Sequence, residues 1–108
     1  MRSIRYFATI ITVAVGILPM GLADKTAKTY TVAIKNFAFV PDHLTVSAGD
    51  TVVWKNEDMV PHTATVQGAF DSKEIDSTKT WSYKADRKGT FSYICTYHPF
   101  MHGELIVQ

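Results

Sequence analysis

Residues 89–103 read GTFSYICTYHPFMHG and combine two patterns in one stretch. In the first six residues, aromatic and branched side chains alternate with small ones, which is typical of a β-strand. Cys95, His98 and Met101 then follow at intervals of three residues. A thiolate, an imidazole and a thioether on one short loop can converge on a single metal ion. The stretch therefore predicts a strand that ends in a metal-binding loop.

Short segments with a period of two recur along the chain from Thr29 onward, and turn residues separate them. No segment has a convincing helical period. So many short strands in a chain of this length predict an all-β fold, a two-sheet β-sandwich of about seven to eight strands. Residues 68–77 fit neither period and are left unassigned. The predicted strands cover residues 29–35, 44–46, 51–55, 63–66, 78–83, 89–95 and 104–107.

Several aromatic residues fall on the inward-facing phase of these strands, where they are expected to form the core. They are Trp54, Trp81, Tyr83 and Phe91.

A fourth metal donor must come from another part of the chain, and His62 in the segment MVPHT is the best candidate. It lies in the connection between the strands predicted at 51–55 and 63–66. A sandwich that brings this connection and the loop after residue 94 to the same end would assemble a site of two histidines, one cysteine and one methionine. The predicted metal ligands are His62, Cys95, His98 and Met101.

The donor types select among metals. Thiolate and thioether together favour copper, whereas structural zinc sites gain little from methionine, and covalent haem attachment needs two cysteines. Taken singly, each residue has an ordinary alternative: Met101 as a core filler, His62 as a loop residue with one hydrogen bond, Cys95 as a small buried hydrophobe. Their combination favours one copper ion in the blue-copper arrangement of two histidines, one cysteine and a weak axial methionine.

Residues 1–23 have the features of an export signal. Arg2 and Arg5 precede an apolar run, and small residues lead to a cleavage point expected after Ala23. The alternative is an uncleaved membrane anchor. We expect removal of this segment, a single domain over residues 24–108, and no stable membrane association afterwards.

Cys95 is the only cysteine, which is unusual in an exported protein because thiols in oxidising compartments normally pair. A lone thiol there is either buried and inert or occupied by a metal. Loss of Arg2 and Arg5 with the signal would change the net charge from +1 to −1. A near-neutral chain without a Lys/Arg cluster excludes nucleic acid as a partner.

The strand GTFSYIC, the loop TYHPFM and the upstream segment MVPHT together resemble the cupredoxins, and the short ligand loop is most similar to that of the amicyanin branch. The resemblance covers essentially all of residues 24–108. It implies a Greek-key sandwich, one type 1 copper ion, and a periplasmic protein that shuttles single electrons. It also implies that His62, Cys95 and His98 are equatorial ligands and Met101 the axial one. We expect a monomer with transient redox partners of the dehydrogenase or cytochrome c type.

Two positions depart from the family pattern: Tyr97 replaces the proline usual in amicyanin-like loops, and Thr63 replaces the asparagine usual after the first histidine. Both are expected to lie around the ligands, together with Thr96, which would help to position the thiolate.

Partner proteins are expected to dock where an apolar surface surrounds one exposed ligand edge. The residues predicted for this electron port are His98, Pro61, Pro99 and Phe100. His102 and His43 are expected at the surface, away from the metal.

The main alternative function is a periplasmic copper chaperone or storage protein. A copper enzyme is the other alternative. A chaperone would favour exposed, exchangeable ligands, and an enzyme needs an open coordination position, whereas four mixed donors give neither.

Overall fold

The computed structural model describes residues 26–108, so the predicted signal segment lies outside the described residues. These residues form nine β-strands and no helix, and hence no helix of the length and apolarity needed to cross a membrane. The strands are β1 (Thr29–Lys35), β2 (Ala38–Val40), β3 (His43–Val46), β4 (Asp50–Asn56), β5 (Thr65–Val66), β6 (Phe70–Asp71), β7 (Thr80–Ala85), β8 (Gly89–Ile94) and β9 (His102–Val107).

The strands form two sheets, which confirms the predicted all-β sandwich. One sheet has the order β2-β1-β4-β7 and the other the order β3-β9-β8-β5-β6. The pairs β1–β4 and β3–β9 are parallel, and the remaining pairs are antiparallel. Because β4 and β8 belong to different sheets, the segments that follow them reach the metal-binding end of the sandwich from opposite sides of the core.

The core lies between the sheets and follows from the period of two along each strand. In the first sheet Val32, Ile34 and Trp54 are at most 1% exposed, and in the second Tyr93 and Leu105 are 1% exposed. Trp54 packs against aromatic rings from both sheets, with ring centroids 5.3 Å from Tyr93 and 5.5 Å from Trp81. This aromatic cluster joins the two layers.

The predicted core is confirmed for Trp54 and Phe91, which are buried. Trp81 and Tyr83 are only half-buried, so their predicted place in the core is corrected to its edge. Both lie on β7, the edge strand of its sheet, where one side has no neighbouring strand.

The unassigned region 68–77 contains the two-residue strand β6 and then Ile75, which forms an isolated bridge with His62. Two and three residues are too few to show a period, which is why β6 and β2 escaped sequence analysis. The predicted strand 63–66 is shorter in the structure because only Thr65 and Val66 pair with neighbours.

The backbone of Gly103 lies unusually close to the core residue Tyr93. A Cβ atom at this position would lie 2.5 Å from the Cζ and hydroxyl oxygen of Tyr93. Tyr93 is itself buried and cannot move aside. Only glycine therefore lets the second residue of β9 lie this close to the core.

Alkaline pH should destabilise the protein through Tyr93. Burial raises the pKa of Tyr93 to about 12, from 10.0 for an ordinary tyrosine. Below pH 10 the phenol is neutral in both states, so it adds no pH dependence. Between pH 10 and 12 the unfolded chain ionises first, and folding stability should fall by about 2–3 kcal/mol.

Urea unfolding at several pH values measures this loss. The Tyr93→Phe variant should lack this component, and an equal decline in both proteins would contradict the assignment.

Candidate metal centre

The ligand loop, residues 95–101, connects β8 to β9 and is closed by its own backbone. The Cys95 N–H donates to the Met101 carbonyl at 3.1 Å, the His98 N–H to the Cys95 carbonyl at 3.2 Å, and the Met101 N–H to the His98 carbonyl at 2.8 Å. Each predicted ligand of the loop is thus hydrogen-bonded to another. The spacing of three residues gives a tight turn in which the three side chains hold fixed relative positions.

His62 is held by a second framework at the end of β4. The buried Asn56 side chain donates to the carbonyls of Val60 at 2.8 Å and Ile75 at 2.9 Å, and accepts from the Asp58 N–H at 2.9 Å. His62 and Ile75 exchange two backbone hydrogen bonds, of 3.2 and 2.8 Å. The connection that carries His62 is therefore fastened on both sides.

The two frameworks bring three of the predicted ligands together. The donor atoms of His62, Cys95 and His98 all lie within 4.8 Å of one another. The Cys95 Sγ is 3.7 Å from each histidine Nδ1. Cys95 and His62 are completely buried, Met101 is 2% exposed, and His98 is half-buried. Met101 ends the same loop, and its axial role stays a prediction.

Asp58 fixes which nitrogen of His62 faces the centre. Its Oδ2 lies 2.8 Å from the His62 Nε2. Burial opposes the charge of Asp58, but the N–H groups of Phe37 and Asn36 and the His62 ring outweigh it and lower the pKa of this carboxyl. Because an ionised carboxylate only accepts, Nε2 is the nitrogen that donates to Asp58, which leaves Nδ1 as the nitrogen that faces Cys95.

Thr63 and Thr96 both lie near Cys95. The Thr63 N–H donates to the Cys95 Sγ at 3.3 Å, and the Thr96 N–H donates to the Thr63 Oγ1 at 2.9 Å. The bond to sulfur comes from the backbone, so threonine can replace asparagine at position 63 without losing it. The Thr63 hydroxyl then ties the His62 connection to the ligand loop.

Tyr97 faces outward from the ligand loop. It is 48% exposed, and its hydroxyl donates to Glu74 at 3.1 Å. Tyr97 therefore fastens the loop to the segment before β7 and does not touch the donor atoms through any hydrogen bond seen among residues 26–108.

The donor set fits a copper ion. With the bond lengths that zinc takes to the same donors, about 2.3 Å to sulfur and 2.0–2.1 Å to imidazole nitrogen, trigonal angles separate the sulfur from each nitrogen by about 3.7–3.8 Å. The two observed separations of 3.7 Å match this arrangement. One thiolate and two imidazoles, with a methionine buried beside them, form the set that type 1 copper uses.

The sequence pattern did not indicate Phe37, Asn56 or Asp58 as site residues. Phe37 lies in the β1–β2 turn, with its ring centroid 5.2 Å from that of His62 and 5.0 Å from that of His98. Asp58, four residues before His62, offered a weak signal as an acidic residue near a metal-binding histidine. Nothing in the sequence linked Phe37 to the site, because its contacts are long-range.

His43 and His102 are exposed and lie outside the group of converging donors, as predicted. The His43 ring lies between Asp42, 3.1 Å from Nδ1, and Glu104, 3.5 Å from Nε2. The exposed Asp42 hydrogen-bonds to this ring and raises the pKa of His43.

The sequence is similar to known copper proteins. The family model described as "Cupredoxin-like domain" matches residues 7–107. Amicyanin-alpha of Methylorubrum extorquens is 34% identical over 83 residues, covering 71% of this chain and 70% of the relative. A plastocyanin of Vicia faba is 37% identical over 79 residues, covering 56% of this chain and 76% of the relative.

Solved structures share the fold. The Cu(I) form of an amicyanin mutant superposes with a TM-score of 0.71 at 27% identity, covering 80% of this chain and 88% of that one. A copper-containing nitrite reductase from Thermus scotoductus SA-01 gives a TM-score of 0.70 at 26% identity, but this chain covers only 22% of it. Because the family model matches nearly the whole length of this chain, the chain belongs to the cupredoxin-like family.

Proposed function

We propose that this chain is a periplasmic type 1 copper protein that carries single electrons between redox partners. His62, Cys95, His98 and Met101 would hold the copper. Residues 1–23 would be the export signal and residues 24–108 the single functional domain, a monomer. The partners would be proteins of the dehydrogenase or cytochrome c type, which bind transiently.

The observation that supports this function best is the difference in burial among the donors. Cys95, His62 and Met101 are at most 2% exposed, whereas His98 is half-buried. Copper held here would supply a one-electron couple for exchange with a reduced and an oxidised partner. The chain keeps water away from three donors and brings one ligand to the surface. Four donors from the chain also leave no position for a substrate.

The hydrogen bonds around the donors support the same role. An electron carrier needs one ligand arrangement that serves both oxidation states, so that little rearranges when the electron moves. The carbonyl contacts within residues 95–101 hold one part of the set, and the Asn56 side chain holds the other. The Thr63–Thr96 pair joins these parts.

The surface near His98 carries an exposed apolar rim. The residues of the rim are uncharged, and a small apolar surface of this kind suits brief docking of a partner better than tight binding. Of the predicted docking residues, Pro99 and Phe100 are exposed and Pro61 is half-buried. We define the rim as Phe37, Met59, Val60, Pro61, Tyr97, Pro99 and Phe100.

Adding Cu(II) to purified residues 24–108 tests the proposal. The electron carrier predicts an intense blue or green complex with one copper per chain, bleached by one equivalent of reductant and restored by an oxidant. Colourless binding of Cu(I) alone would instead support a copper chaperone or storage protein. Binding of several copper ions per chain would also contradict the carrier.

Replacing Phe100 by glutamate should slow electron exchange about tenfold while leaving the copper spectrum unchanged. Phe100 is 67% exposed, and a carboxylate there would have to be desolvated on docking, at a cost of about 1.4 kcal/mol or more. Nuclear magnetic resonance line broadening in mixtures of Cu(I) and Cu(II) protein measures the self-exchange rate.

Thr90→Glu is the matched control for the added charge. Thr90 is exposed near the start of β8, whereas Cys95 follows the end of this strand. An equal slowing in both variants would show that net charge, and not the docking surface, controls the rate.

A further inference from the structure

The turn between β1 and β2 holds an aromatic residue in an unusual backbone conformation. Asn36 and Phe37 have φ angles of 53° and 57°, in the left-handed region. Asparagine tolerates this region, but a bulky residue such as phenylalanine rarely adopts it. Positive φ at both residues is the geometry of a two-residue hairpin turn, but a phenylalanine there is unusual, and such residues are enriched at functional sites.

The group that holds this turn is the carboxylate of Asp58, 21 residues further along the chain. Its Oδ1 accepts from the Asn36 N–H at 2.7 Å, and its Oδ2 accepts from the Phe37 N–H at 2.9 Å. The same Oδ2 lies 2.8 Å from the His62 Nε2. One carboxylate therefore holds both the turn and a metal ligand in place. The Asp58 side chain is 12% exposed, whereas Asn36 and Phe37 are exposed.

The turn places the Phe37 ring against both histidines. Its plane is at 87° to the His62 ring and at 85° to the His98 ring, with centroids 5.2 and 5.0 Å apart. Both contacts are edge-to-face, the favoured geometry for aromatic pairs at these distances. His62 and His98 come from different connections, so Phe37 joins the two parts of the donor set.

Phe37 is also part of the exposed rim and contacts another of its residues. Its ring stacks on Phe100 with centroids 6.4 Å apart and an interplanar angle of 22°, and Phe37 is 41% exposed. The centroid of the half-buried His98 ring lies 5.0 Å from that of Phe37, 5.1 Å from that of His62 and 6.1 Å from that of Phe100.

We infer that Phe37 is a positioning residue for the metal centre, which locks the ring orientations of His62 and His98 and is itself held by Asp58. This inference rests on the proposed function, because it assumes copper between those rings. It assigns to the β1–β2 turn a role in holding copper and in setting the electronic structure of the site.

The test compares three variants in the copper-loaded protein. Phe37→Leu keeps apolar volume but removes the ring, Phe37→Tyr keeps the ring, and Met59→Ala removes exposed apolar area from the same end without a ring contact. Met59 is 90% exposed. Copper transfer to an excess of chelator gives the dissociation rate, and electron paramagnetic resonance of the Cu(II) form reports the ligand geometry.

Phe37→Leu should release copper about three- to tenfold faster and change the resonance spectrum, since two edge-to-face contacts are lost. Phe37→Tyr should restore both properties, and Met59→Ala should match the parent. A Phe37→Leu protein identical to the parent in rate and spectrum would overturn the inference. So would an equal change in the tyrosine or Met59 variant. Failure of the proposed function is distinct, because the parent itself would then form no coloured copper complex.

Discussion

Replacing Cys95 by serine should abolish the coloured copper complex. The Cys95 Sγ lies 3.7 Å from both histidine Nδ1 atoms, and it also accepts the Thr63 N–H. A serine hydroxyl is not ionised at neutral pH and is a hard donor, so the soft thiolate that favours copper is lost. Changes to groups that only support a ligand cost about 10- to 100-fold in metal affinity, and loss of the thiolate should exceed this.

Absorption spectroscopy and a competitive chelator titration measure the two effects of Cys95→Ser. His102→Ala is the matched control, because His102 directly follows Met101 in the chain but is exposed. The control should keep the colour and affinity of the parent. A Cys95→Ser protein with the colour of the parent would show that the metal is held elsewhere.

Replacing Trp54 by alanine should cost about 3–5 kcal/mol of folding stability. Trp54 is completely buried in β4, and its ring contacts Phe70, Trp81 and Tyr93. Truncation would leave a cavity between the sheets that these rigid aromatic neighbours cannot fill. Small domains have total stabilities of about 5–15 kcal/mol, so the variant should be close to unfolding.

Urea unfolding measures this loss from the shift in midpoint at an unchanged slope. Trp81→Ala is the control in the same aromatic cluster, and it should cost clearly less because Trp81 is half-buried. Equal losses in the two variants would contradict the view that Trp54 joins the two layers.

The metal centre was largely predictable because its signals are local. Cys95, His98 and Met101 lie in one loop of seven residues, where the types of donor and their spacing can be read directly. His62 was predictable because it also lies between two predicted strands. The long strands were predictable for a related reason: seven-residue segments such as β1 show a clear period of two.

The parts that could not be predicted depend on contacts between distant segments. Phe37 and Asp58 meet through a turn with two positive φ angles, and only the first of its residues is a usual turn former. The Asn56 side chain reaches Ile75, 19 residues away. Composition and period carry no information on such pairs. These long-range contacts hold the ligand residues in place. The sequence therefore predicted the donor residues better than the hydrogen bonds and ring contacts that position them.

Thr63 and Tyr97 depart from the family pattern, and the structure gives each a contact. Thr63 keeps a backbone hydrogen bond to sulfur and adds a hydroxyl link to Thr96. Tyr97 adds a hydrogen bond from the ligand loop to Glu74. Both contacts bind the loop to neighbouring segments, which is the effect expected of groups that support metal ligands.

The central claim is that one sulfur from Cys95 and two imidazoles from His62 and His98 surround a single copper ion. X-ray absorption fine structure of the copper-loaded protein measures the atoms bonded to that ion directly. The structure predicts one short copper–sulfur bond and two copper–nitrogen bonds typical of imidazole. A first shell with nitrogen and oxygen only, or with two equivalent short sulfur bonds, would contradict it.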